Sequence, residues 1–206
     1  MKLFYSPASC AMSPHIVLAE TGIAYDIERV DLATKTTASG VPLKDINPHD
    51  AVPALVLDNG ELLTEGAAIV QYIADQRPEA GLLPPPATIE RARVQQWLNY
   101  IATEMHKAHV PLFKADYPAE AKAIALTQIQ RAYDFVAAAL AERPYLTGEQ
   151  FTVADAYLFT IINWHNFIAL DLAPWPVLVA YQARVAARPG VQRAMAEEGL
   201  LDMVAP

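Results

Sequence analysis

Apolar positions along this chain follow two periods, and the change of period divides it. Near the start, short apolar runs alternate with helical stretches: Lys2 to Tyr5 reads as a strand, a helix begins near Cys10, and Tyr25 to Asp31 reads as a second strand. That helix carries Pro14 in its first turn, where a missing N–H costs little, and ends at Thr21-Gly22, a C-cap pair. Ala54 to Leu57 and Leu62 to Thr64 flank Asp58-Asn59-Gly60-Glu61, and Asn-Gly between apolar runs signals a hairpin. A helix from about Ala67 to Gln76 follows. The order βαβ then ββα predicts an α/β layer with a mixed sheet, because the hairpin is antiparallel and the βαβ unit parallel.

Beyond the Pro-rich stretch from Arg77 to Pro86, which continues neither a helix nor a central strand, only helical periodicity remains. Val94, Trp97, Leu98, Ile101, Met105, Ala108 and Leu112 recur at three and four residues, with Pro111 expected to kink this helix near its end. Pro118 starts a second helix carrying Ile124, Leu126, Ile129, Tyr133, Val136 and Leu140. Further helices follow Thr152 and Pro176, the former opened by Thr152-Val153-Ala154-Asp155, a capping box before the uncharged run Ala156 to Leu170. The expected organisation is a domain over 1–77, a linker over 78–87 and an all-helical domain of about five helices over 88–206.

Composition narrows the functional classes. The chain has 206 residues, 53% hydrophobic and 18% charged, which is globular and far from disorder. With 15 Lys+Arg against 23 Asp+Glu, the net charge of -8 carries no electrostatic footprint for nucleic acid or an anionic membrane. The uncharged run 156–170 falls short of the ~20 residues a spanning helix needs. A single cysteine, Cys10, excludes an intrachain disulfide, and a cytoplasmic location is expected.

Four places carry candidate chemistry. Cys10 precedes a helix, so its sulfur is expected against the helix amides and the positive end of the dipole, an arrangement that stabilises a thiolate. Its C-x-x-S setting lacks a second thiol for an internal disulfide cycle, and an inert small residue in a loop is the plain alternative. Thr64-Glu65-Gly66 precedes another helix, whose amides suit a carboxylate while Glu65 suits an ammonium, together matching an amino-acid zwitterion; an ordinary acidic N-cap is the alternative. Val52-Pro53 leaves backbone open to a peptide-like ligand, and a cis bond there would present it well. Asn99, Thr103 and His106 form a polar stripe beside the apolar face of their helix, or else a solvated helix face. His106, Lys107 and His109 lack Cys or carboxylate partners at ligand spacing, so no metal is expected. Trp164, His165 and Phe167 default to core, although aromatics at a helix end often border apolar pockets.

Taken together, the strings Lys2-Leu3-Phe4-Tyr5-Ser6-Pro7, Cys10, Ser13-Pro14-His15, Ile46-Asn47-Pro48, Val52-Pro53, Leu63-Thr64-Glu65-Gly66 with Ala68-Ile69-Val70-Gln71-Tyr72, Gln96-Trp97-Leu98-Asn99 and Thr152-Val153-Ala154-Asp155 stand in a specific order. In that order the chain resembles the cytosolic glutathione transferases, most closely the bacterial Beta class, over essentially its whole length. The resemblance implies a thioredoxin-like N-terminal domain, an all-helical C-terminal domain and a homodimer with glutathione as cosubstrate. It assigns Val52, beside a cis Pro53, to the cysteinyl part of glutathione and Glu65 with Gly66 to the γ-glutamyl end. Lys35 and His106 become the basic positions for the glycyl end or the sulfur, with Asn99, Thr103 and Lys107 nearby, and Glu104 reaches the partner subunit's glutathione. Cys10 lies beside the glutathione sulfur, able to form a mixed disulfide, and Phe113, Trp164 and Phe167 border the hydrophobic electrophile. Many Beta-class chains place serine directly after this cysteine; here it is Ala11, which shifts reliance onto Cys10, His106 or backbone amides. Tyr5 and Ser9 are secondary candidates.

Three activities fit these expectations. They are a detoxifying transferase that conjugates glutathione to hydrophobic electrophiles, a glutathione-dependent thiol-disulfide reductase or reductive dehalogenase working through Cys10, and a noncatalytic carrier of apolar ligands.

Overall fold

The computed structural model describes residues 1–168 and 170–201. Residue 169, inside the uncharged run expected over 156–170, and residues 202–206 lie outside the described residues. The chain forms two compact units, one made of Met1–Leu83 with the segment from Ala187 onward, the other of Pro84–Ala186.

In the first unit the elements run β1 (Lys2–Tyr5), α1 (Met12–Thr21), β2 (Asp26–Asp31), β3 (Thr36–Thr37), α2 (Leu43–Ile46), β4 (Ala54–Val56), β5 (Leu62–Thr64) and α3 (Gly66–Asp75). They build a five-stranded mixed sheet in the order β3-β2-β1-β4-β5. β1 pairs parallel with β2, Leu3 opposite Ile27, and antiparallel with β4, Leu3 opposite Leu55. The hairpin is present, with Ala54 opposite Thr64 and Gly60 at φ 85°, a value that favours glycine. Phe4, Val30, Leu43 and Ala54 close into one apolar cluster, which α2 joins through Leu43 and Ile46. The mixed sheet with its flanking helices is the thioredoxin-like architecture expected.

α1 ends as expected at Gly22, left-handed with φ 66°. It is buried continuously from Met12 to Leu18, more than one sheet face accounts for. Its other cover is α9 (Pro189–Glu198), which packs on α1 while α3 packs beside it. The expected domain boundary placed this last helix with the helical domain; the structure groups it with the first unit. Charge fixes the contact: Arg188 donates Nε to Glu20 Oε1 at 3.0 Å and Nη2 to Oε2 at 2.7 Å, a bidentate pair across the two helices. His15, fully buried on α1, lies 2.9 Å by Nδ1 from Glu198 Oε1 and 2.7 Å by Nε2 from Glu197 Oε2. Burial pushes the Glu197 carboxyl up, but hydrogen bonds from Arg193, His15 and Tyr25 prevail and hold it down at about 2.

The second unit is helical. Thr88 accepts the Arg91 amide at 3.2 Å and so caps α4 (Ile89–Tyr100). α4 continues through a π turn (Ile101–His106) into α5 (Lys107–Phe113), which contains Pro111. Val94, Leu98, Ile101, Met105 and Ala108 are buried, as their spacing requires. α6 (Ala119–Ala141) buries Ala125, Ile129, Ala132, Tyr133, Val136 and Leu140. Ile124, expected on that face, is 61% exposed, because the buried row passes through Ala125 instead.

α7 (Val153–Asn163) is buried at every position and carries the unit's core, followed by a 3₁₀ turn (Trp164–Phe167) and α8 (Pro176–Ala186). Its capping box is formed, with Asp155 Oδ2 accepting the Thr152 amide and hydroxyl, both at 2.9 Å. The other oxygen, Oδ1, accepts the Leu146 amide at 2.9 Å and the Tyr181 hydroxyl at 3.2 Å. One buried carboxylate thus ties the start of α7 to the preceding loop and to α8. Among the described residues no helix is long and apolar enough to cross a membrane.

Candidate active site

In the first unit, the loop after β1 and the ends of β4 and β5 bring Cys10, Val52-Pro53 and Glu65-Gly66 together. The Cys10 thiol donates to the Val52 carbonyl at 3.4 Å, and the Val52-Pro53 peptide is cis. A methyl group on Gly66 would stand 3.8 Å from both Pro53 Cγ and Ser13 Oγ, so these segments adjoin. Glu65 holds φ at 66°, a left-handed value a side chain adopts only when its surroundings impose it. It stands at the entry to α3, where the Gly66 and Ala67 amides have no hydrogen-bond partner among the described residues while Ala68 donates to the Glu65 carbonyl at 2.9 Å. A carboxylate side chain beside unpaired amides is the donor–acceptor set that an amino-acid zwitterion needs.

Lys35 adjoins the same group. Its Nζ donates to the Asp50 carbonyl at 2.8 Å, two residues before Val52. Asp50 has φ 52°, and its Oδ1 is buried without a hydrogen-bond partner among the described residues. Sequence reasoning missed Asp50, since nothing local marks a loop aspartate as the anchor of a lysine so far upstream.

Cys10 stands two residues before α1, and the amides that follow it are bonded within their own turn. The Ala11 amide goes to Ser9 Oγ at 3.2 Å, Met12 to the Ser9 carbonyl at 3.0 Å and Ser13 to the Cys10 carbonyl at 3.3 Å, while Pro14 has no N–H. Each available amide already has an acceptor. Cys10 is thus placed beside Val52-Pro53, its thiol directed at the Val52 carbonyl. Ala11 is fully buried, and Tyr5 is 6% exposed, its hydroxyl pushed up in pKa by burial and by Glu198.

In the second unit His106 stands at the end of the π turn. Its Nδ1 lies 2.7 Å from the Tyr157 hydroxyl, and Trp164 meets its ring edge-on at 4.9 Å. Burial, followed by the nearby Lys107 and His109, lowers the imidazole to about 4. Phe113 packs on Trp164 at 5.2 Å and is 47% exposed, so this aromatic group has an open rim. Phe167 is 41% exposed rather than core, because the 3₁₀ turn after α7 rotates it outward.

The polar stripe is split by the π turn, whose extra residue rotates the positions after it. Thr103, Glu104 and Lys107 line a groove of about 580 Å³ against α6, whereas His106 turns to α7. Thr103 spends its hydroxyl on the Asn99 carbonyl at 3.0 Å, and Asn99 is exposed. Tyr157 was invisible to spacing arguments, because the bond that makes it part of the site spans 51 positions.

The family model "Glutathione S-transferase, N-terminal domain" matches residues 8–76 and "Glutathione S-transferase, C-terminal domain" matches 100–189. The chain is 44% identical to glutathione S-transferase GstA of Escherichia coli O157:H7, over 97% of this chain and 100% of that one. A bacterial beta class glutathione S-transferase of Sphingomonas chungbukensis superposes with a TM-score of 0.94 at 44% identity, covering 98% of this chain and 100% of the other. A sphingomonad glutathione S-transferase complexed with glutathione superposes equally well, TM-score 0.94 at 42% identity over 97% and 100%. By sequence over nearly its full length and by fold, this chain belongs to the glutathione S-transferase family, with its structural kin in the bacterial beta class.

Proposed function

We propose that this protein binds glutathione at the first-unit cluster and transfers its thiolate to hydrophobic electrophiles. It is an enzyme, a glutathione transferase. The observation that carries the reading is Glu65, held at φ 66° beside the unpaired first amides of α3 and next to the cis Val52-Pro53 peptide. Glutathione begins with a free amino-acid end and continues as a peptide, and this cluster offers a partner to each part. Glu65 takes the ammonium, Gly66 and the following amide take the α-carboxylate, the Val52 backbone pairs with the cysteinyl residue, and Lys35 takes the glycyl carboxylate. The same proposal assigns His106, Asn99, Thr103, Glu104 and Lys107 to glutathione and Phe113, Trp164 and Phe167 to the acceptor.

In the reaction the glutathione thiol loses its proton, the thiolate forms a carbon–sulfur bond with the electrophile, and a leaving group departs or an activated double bond takes up a proton. An ordinary thiol has a pKa of about 8.5, and each unit of lowering corresponds to about 1.4 kcal/mol, within reach of one or two charge-assisted hydrogen bonds. A homodimer acting on electrophiles in the cytoplasm, in a detoxifying role and without a metal, belongs to the same proposal. The reductase reading needs a Cys10 thiolate, and the Cys10 variant below separates it from conjugation.

Titration of the reduced protein with glutathione, followed by tryptophan fluorescence, tests the reading. Saturable binding is expected, and none at millimolar glutathione would overturn it. Cys10→Ala should retain conjugation within about tenfold, consistent with loss of a contact rather than of the nucleophile. Complete loss of conjugation with binding intact would transfer the chemistry to Cys10.

A further inference from the structure

Lys35 and Asp50 meet beside Val52-Pro53 in the first unit, and both stand at left-handed backbone, φ 56° and 52°. Lys35 is held through its own carbonyl, which accepts the Leu43 amide at 2.8 Å. Asp50 is held by Asn47, which is 2% exposed. The Asn47 carbonyl accepts the Asp50 amide at 2.8 Å, its Oδ1 accepts the His49 amide at 3.0 Å, and its Nδ2 donates to the Ala51 carbonyl at 2.7 Å. The loop 47–51 that leads to Val52 therefore keeps its course without help from the Asp50 side chain.

The Lys35 ammonium is likewise placed by backbone. Its Nζ donates to the Asp50 carbonyl at 2.8 Å, a bond that any residue at position 50 can supply. The Asp50 carboxylate stands farther off, with Oδ2 3.9 Å from Nζ and beyond hydrogen-bond reach. Its other oxygen, Oδ1, is buried with no hydrogen-bond partner among the described residues. A left-handed φ costs a residue with a Cβ more than it costs glycine, and no bond from these oxygens within the loop offsets it. What the side chain adds at Lys35 is charge, and it falls on the cation that the functional reading gives to the glycyl carboxylate.

We infer that Asp50 is a specificity-determining residue for the C-terminal end of the thiol peptide: its carboxylate competes with the glycyl carboxylate for the Lys35 ammonium, so the site admits thiol peptides with a neutral C-terminal end nearly as well as glutathione itself. The inference rests on the proposed assignment of Lys35 to that end. Both side chains are open to solvent, 43% and 41% exposed, which limits the effect to that of a surface ion pair.

Asp50→Asn keeps the shape, removes the charge and tolerates the left-handed backbone. Calorimetry with glutathione and with its C-terminal amide reads the effect. At low ionic strength the Kd for glutathione is expected to fall about two- to fivefold in Asp50→Asn, the range of one exposed ion pair, while that for the amide changes less than about 1.5-fold. In 1 M NaCl, where the screening length is about 3 Å, the gain should all but vanish. Asp50→Gly gives a second route if the first variant folds poorly, since glycine takes this φ freely, and it should show the same gain.

A Kd for glutathione that rises or stays unchanged would overturn the inference. So would equal gains for the acid and the amide, or a gain that persists in 1 M NaCl, because either traces the effect to the loop and not to charge. Failure of the unaltered protein to bind either ligand would instead overturn the functional reading on which the inference rests.

Discussion

His106 and His109 stand on one helical segment, and burial lowers both below the ordinary imidazole value of 6.5, His106 to about 4. Unfolding restores each to about 6.5. Between pH 6.5 and 4 the unfolded chain therefore binds protons the folded chain refuses, and stability falls as the pH falls through that window. Asp155 works in the opposite sense: burial pushes its carboxyl up to about 6 against four hydrogen bonds, so its contribution improves as pH falls from about 6 towards 4. His106→Gln should flatten the acid side of the Tm–pH profile, and an unaltered slope from pH 6.5 to 4 would refute the assignment. Single residues were partly legible in the sequence. Glu65, Gly66, Val52 and Pro53 mark a candidate site because turn chemistry and helix starts are local. The partners of His15, Glu197 and Glu198, are not, since they stand more than 180 positions away, and the one signal for them is a histidine directly before the apolar run 16–19.

At the scale of elements, the start of α7 and the contact between α1 and α9 make separate predictions. Thr152→Ala removes the hydroxyl from a buried capping box and should cost about 1–2 kcal/mol in urea unfolding. A methyl group at Gly190 would stand 2.5 Å from Glu20 Cγ, and Glu20 is pinned by Arg188 and has little room to yield. Gly190→Ala should therefore destabilise by about 1–3 kcal/mol, and Glu20→Ala in the same chain should recover part of the loss by opening space. Retention of wild-type stability in the single variant would show that the interface is looser than described. Most elements followed from apolar period, the Asn59-Gly60 turn and the Thr152–Asp155 spacing. The π turn did not, because one extra residue over six positions barely disturbs a three-and-four spacing that resumes on both sides. Nor did β3, two residues long and without a period.

The whole molecule was legible in its change of period and its family, but not in the assignment of its last helix. Val191, Ala194 and Met195 say that α9 buries a face; which partner covers it is a tertiary fact that no window of sequence contains. A chain ending at Ala186 should lose the first unit's cooperative melting, since α1 would expose apolar surface together with His15, while the described helices of the second unit keep their own core. Circular dichroism with limited proteolysis would read this directly, and an unchanged first-unit transition would refute it.

The closing of the first unit by α9 also bears on how the protein is made. A ribosome delivers the sheet, α1 and α3 early, yet the two glutamates that receive His15 are polymerised only after the whole second unit. At about 5–20 residues per second the nascent first unit waits on the order of ten seconds, with one flank of α1 uncovered, for the helix that completes it. Maturation of that unit is thus tied to synthesis of the other, and a ribosome that stalls within the helical unit leaves an unfinished fold around Cys10 rather than a working half-enzyme.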